Sequence, residues 1–146
     1  MVGSYNWDYT VQDNRIKKLY ELGKQLNWDV EIDVDWSPEP IDISEEVFQW
    51  EDNQWSGHPV YKTWDRMRKE EFFRDLNSWS ASQFLHGEQG ALLVASQLAS
   101  CAPTFNAKLY AASQTFDEAR HVECFNKYIQ TRLQKSWPIS LSLIHI

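Results

Sequence analysis

Apolar residues recur at helical spacing through most of the chain. Between Asp13 and Trp28 they fall at Ile16, Leu19, Tyr20, Leu22 and Leu26, the three- and four-residue steps of an amphipathic helix. Asp13 stands where an N-cap belongs. Residues 30–42, VEIDVDWSPEPID, then carry two prolines and a dense set of acids. They predict an extended loop with solvated carboxylates, because a residue before proline is pushed out of the α region. Ser44 followed by Glu45 and Glu46 predicts a short helix to about Trp55, with a hydroxyl cap and acids at the positive end of the dipole. Gly57-His58-Pro59 breaks it, and Thr63 is the expected cap of the next helix.

From Trp64 to Cys101 there is no proline. Gly87 and Gly90 interrupt the pattern, each tolerable inside a helix at a cost of about 1 kcal/mol. Ala102-Pro103 marks a break, and Thr104 to Gln134 contains neither proline nor glycine before Trp137-Pro138 ends the element. Two long helices joined by a tight turn pack antiparallel. No alternating run marks a strand. The pattern predicts an all-α fold: an aromatic-rich N-terminal extension over residues 1–63, then a long helix pair over 64–140.

Charge narrows the function classes. Lys and Arg number 14 against 21 acids, a formal charge of −7. Nucleic acid and anionic membrane surfaces both need a basic face, so neither is an expected partner. No stretch approaches the roughly 18 apolar residues of a membrane span. The chain has 8 Trp, 6 Tyr and 7 Phe, and its Trp share is about four times the usual one. Cys101 and Cys124 are too few and too far apart for a disulfide scaffold. The N-terminus lacks the basic and apolar regions of a secretory signal. A cytoplasmic location is expected.

Glu118, Ala119, Arg120 and His121 form a Glu-x-x-His pair. On a helix, residues three apart share a face, about 5–6 Å between Cβ atoms, so both can reach one metal ion. Glu88 stands in the preceding helix among Gly, Ala, Leu and Val, where a carboxylate is costly to bury unless paired or metal-bound. Glu88 lies about 15 residues before Pro103 and Glu118 about 15 after it, so an antiparallel hairpin with arms of roughly 22 Å brings them to one height. One Glu facing a Glu-x-x-His is half of a helix-bundle di-metal site. Carboxylate-rich sites with few imidazoles suit iron or manganese better than zinc. His86, two residues from Glu88, points elsewhere, and His58 is expected in an exposed loop. Tyr110 reads as packing and the two cysteines as buried free thiols.

The block from Gly87 to Tyr128, with Glu88 and the Asp117-to-His121 string Asp-Glu-x-Arg-His, resembles the ferritin-like di-iron carboxylate proteins. The match is nearest to the oxygen-activating branch, the ribonucleotide reductase small subunits and bacterial multicomponent monooxygenase hydroxylases. The resemblance implies a ferritin-like helical bundle. Glu88 would be a terminal ligand, Glu118 a bridging one and His121 an imidazole ligand. Asp117 would sit behind the metal ligands and orient a histidine of the other half. Arg120 would hold the helix pair, and Gln114 would line the cavity. It also implies O2 and a small organic molecule as substrates of a non-haem di-iron, or iron–manganese, oxidoreductase.

The family needs a second Glu and a second Glu-x-x-His, which the chain lacks. Its last six residues, LSLIHI, translate the end sequence of a common transposon-based sequencing adapter. Residues 141–146 are therefore expected to be non-native, His145 is no ligand, and the natural protein is expected to continue beyond Ser140 with the other half-site. This reading makes the chain a fragment, inactive alone. A homodimer that pairs two half-sites is a further expectation. An iron-storage protein and a metal-free helical interaction module are the competing classes.

Overall fold

The computed structural model describes residues 3–37 and 52–144. The described residues form helices α1 (Asn14–Gln25), α2 (Pro59–Lys62), α3 (Arg66–Cys101), α4 (Phe105–Tyr128) and α5 (Leu141–Ile144), with a π-helical turn at Ile129–Leu133. They contain no strand, so the fold is all-α. No described helix is long and apolar enough to cross a membrane.

The caps explain the boundaries. Asp13 accepts from the Arg15 and Ile16 amides and starts α1. Asp65, not Thr63, caps α3 through the Arg68 amide; Thr63 instead closes α2. Ala102 at φ −58°, ψ 144° is forced out of the helical region by Pro103, and Thr104 starts α4 by accepting from the Ala107 amide. Lys108 Nζ donates to the Ser100 carbonyl at 2.7 Å and the Ala99 carbonyl at 3.3 Å, which satisfies the orphan end of α3 and its negative dipole.

Two expected helix ends need correction. Residues 52–55 are bends and turns, so the helix expected over 44–55 does not reach them; its remainder lies outside the described residues. The last long helix ends at Gln134, which turns left-handed at φ 55°, before Trp137-Pro138. From there the chain runs back along α3. The Trp137 amide donates to Ser82 Oγ at 3.0 Å, the Ser140 amide to Gln83 Oε1 at 2.7 Å, and Ser78 Oγ to the Lys135 carbonyl. His86 Nε2 lies 3.0 Å from the Trp137 carbonyl.

α3 packs along α4, and α1 packs on another side of α4. Alanines 81, 95 and 111 are buried, which lets the long helices approach closely. Tyr61 and Phe73 form an aromatic core with Trp55, Trp64 and Phe72 at the start of α3. The N-terminal segment crosses the far end: the Ser4 amide donates to the Ser100 carbonyl at 3.0 Å. A Cβ at Gly3 would stand 2.7 Å from Ser100 Oγ, so a larger residue there requires the Ser100 hydroxyl to turn aside.

Residues 30–37, expected as a plain extended loop, begin with a turn in which the Asp33 amide donates to the Asp29 carbonyl at 2.8 Å. Val30 is 2% exposed. Trp36 Nε1 donates to the Val30 carbonyl at 2.6 Å, and Lys127 lies over the Trp36 ring at 5.0 Å. This segment thus seals the lower flank of α4.

Candidate metal centre

Glu88 projects from α3, and Glu118 and His121 project from α4 one turn apart. Their donor atoms lie within 4.8 Å of one another. His121 Nδ1 is 3.2 Å from Glu118 Oε2 and 3.4 Å from Glu88 Oε2. The side chains are 22–37% exposed, neither sealed in a core nor fully hydrated. Phe84 and Phe125 stack at 5.6 Å. Phe84 lies one turn before Glu88 and Phe125 one turn after His121, so the stack fixes the antiparallel register that joins the cluster.

Burial pushes the Glu88 carboxyl above its ordinary range, and sharing a hydrogen bond with Glu118 adds to this; the neighbouring His121 opposes both. Two carboxylates at one point repel each other unless a proton or a cation lies between them. Two oxygens and an imidazole nitrogen at these separations suit one divalent ion, with ligand distances of about 2.0–2.2 Å. The donor set therefore fits a metal. Among the described residues it is the one group of three or more such side chains that converges in this way.

The residues expected around the ligands divide. Gln114 lines a cleft that also reaches His121. Asp117 pairs with the Arg120 guanidinium. Arg120 is 7% exposed and donates through Nη1 to the Trp28 carbonyl at 2.7 Å. Its cation lies 5.1 Å from the Trp28 ring and 5.4 Å from the Phe116 ring. Arg120 thus ties α4 to the segment after α1, whereas the expected tie was to α3.

Glu88's apolar neighbours also differ from expectation. A Cβ at Gly87 or Gly90 meets nothing within 4 Å, and Leu93, Val94 and Leu98 are about half exposed. These residues form an open face beside the cluster, not a core.

Sequence reasoning passed over Trp28. Its ring stacks on the His121 ring at 6.4 Å, and its carbonyl holds Arg120. The one signal in the sequence was its place just past a helix whose apolar face needed a partner. Tyr110 lines the same cleft, His58 is an exposed cap of α2, and Cys101 and Cys124 are partly buried.

Comparison with protein-family models, with curated proteins and with solved structures gave no match.

Proposed function

We propose that the α3–α4 pair is one half of a ferritin-like bundle and that Glu88, Glu118 and His121 are one half of its di-metal centre. The function is that of a non-haem di-iron, or iron–manganese, oxidoreductase that uses O2. The single observation that carries the proposal is the convergence of the three donor groups from two helices, at the register required by equal distances from the Pro103 turn.

Glu88 and Glu118 would hold the ion through carboxylate oxygens and His121 through Nδ1, the nitrogen that faces both. The chemistry supplied by a reduced metal pair when bound is electron donation to O2. The chain's own residues do the positioning. Trp28 stacks on the imidazole, the Phe84–Phe125 stack sets helix register, and Arg120 anchors the flank of α4. A second helix pair is needed for the other ion. The half-exposed face of Val94, Leu98 and Phe84 beside the cluster supports its docking there, from further chain or from a two-fold-related copy.

One observation favours a second reading, the metal-free interaction module. His121 lies within ion-pair distance of both carboxylates, and burial favours a proton on Glu88, so the three side chains can balance their charge without a metal. Thermal unfolding with and without Fe(II), under anaerobic conditions, separates the two. Binding at about 100 times Kd stabilises by about 2.7 kcal/mol. For a chain of this size that raises Tm by about 5–10 °C. Wild type is expected to show the rise, and Glu118→Ala and His121→Ala to lack it. An unchanged wild-type Tm favours the metal-free module.

A further inference from the structure

We propose that the cleft between α1 and α4 is a binding site for a neutral amphipathic molecule: an apolar body with one hydrogen-bonding oxygen. The cleft holds about 420 Å³, inside the range of about 300–1,000 Å³ typical of small-molecule sites. Its two walls differ in chemistry. α1 and its C-cap contribute Leu19, Leu22 and Leu26, which are 44%, 37% and 72% exposed. These side chains satisfy the helix's apolar period yet remain wet, so an apolar body gains by covering them.

α4 contributes the polar wall. Ser113 Oγ is committed to the Tyr110 carbonyl at 2.7 Å. Tyr110 and Gln114 also line the cleft, and their side chains hydrogen-bond to no described residue. A hydroxyl and an amide one helical turn apart can give a donor and an acceptor to one ligand oxygen. Asp117 and Arg120, the opposite charges on this wall, neutralise each other. Among the described residues no free cation on the wall awaits a carboxylate, and desolvating an anion there is costly, so the head group is neutral.

His121 joins cleft and cluster. Its Nδ1 faces the carboxylates while its ring lines the cleft beside Trp28. A molecule in the cleft therefore lies against a candidate metal ligand. That last relation rests on the half-site reading; the cleft itself does not.

Gly23 gives the handle for a test. It lines the cleft, and a Cβ there would meet Ser113 at ordinary contact distance, 3.6–3.7 Å. A larger side chain enters the cleft, while leaving glycine raises helix propensity. Calorimetric titration of the metal-free chain with 1-octanol and with octanoate is the experiment. One octanol is expected to bind per chain, with octanoate at least ten-fold weaker. Gly23→Leu, its fold checked by circular dichroism, is expected to weaken octanol at least ten-fold. Tyr110→Phe combined with Gln114→Leu is expected to weaken it several-fold. Unsaturable octanol, equal affinity for octanoate, or an unchanged affinity in folded Gly23→Leu would overturn the proposal. Loading with Co(II) keeps the two readings separate. Octanol is expected to shift the visible bands of the Co(II) form. Failure of Co(II) to bind, with octanol binding intact, counts against the half-site alone.

Discussion

Glu88 is held in a charge state that favours either a proton or a cation. Its pKa is raised chiefly by burial, so the metal-free fold prefers the neutral acid. A raised folded-state pKa means that this contribution to stability is complete below the ordinary glutamate pKa and is lost as pH rises through the higher folded value. Above that range the ionised group therefore opposes folding. Glu88→Gln copies the neutral form and is expected to raise the Tm of the metal-free chain at pH 7. It is also expected to weaken Fe(II) at least ten-fold. A lowered Tm in differential scanning calorimetry would contradict this assignment of the shift. Arg120 tests the flank of the site. With its guanidinium buried between Asp117 and the Trp28 carbonyl, Arg120→Ala is expected to cost about 2 kcal/mol or more in urea unfolding. Lys is not expected to restore it, because a point charge cannot make both contacts in the geometry of a planar fork.

The long elements were legible because their boundaries are chemically marked. Asp13 and Pro103 each act through a single local rule, and both stand where the sequence placed them. The cluster was legible for the same reason, since a turn residue and a helix rise fix its height. Two things were not. Asp65 outcompetes Thr63 as a cap because Thr63 hydrogen-bonds back to the Val60 carbonyl at 2.7 Å, a choice that local composition cannot reveal. Trp28 and Val30 are set by tertiary contact with α4, which no spacing encodes. The setting of Glu88 misled for a related reason: Gly, Ala, Leu and Val describe a core only if something covers them. The glycines give an element-scale prediction. Gly87 and Gly90 sit mid-helix in open space, so Gly87→Ala and Gly90→Ala are each expected to stabilise the chain by about 0.5–1 kcal/mol. Urea unfolding reads the change; a loss of stability would mean that these positions face a neighbour.

At the scale of the whole molecule, the described residues leave much apolar surface uncovered. Among the described residues, half of the buried apolar ones are alanines, and the exposed ones include Phe84, Leu93, Val94 and Leu98 on α3 and Phe116 on α4. Under the half-bundle proposal, the α3 residues among them are the face on which a second helix pair docks. The chain is expected to self-associate as concentration rises, and Val94→Glu with Leu98→Glu to reduce this. Sedimentation equilibrium that reports a monomer at every concentration would contradict an unpartnered face. The same experiment with Fe(II) reads whether two copies close around the metals.

The most direct test of the central claim is anaerobic calorimetric titration of the chain with Fe(II). The Glu88–Glu118–His121 account predicts saturation at one ion per chain, whether a monomer holds a single half-site or a dimer holds two. It also predicts loss of that binding in Glu118→Ala. Absence of saturable binding, or equal binding in the variant, would contradict it and leave the three side chains as a Glu–His–Glu charge cluster without a metal.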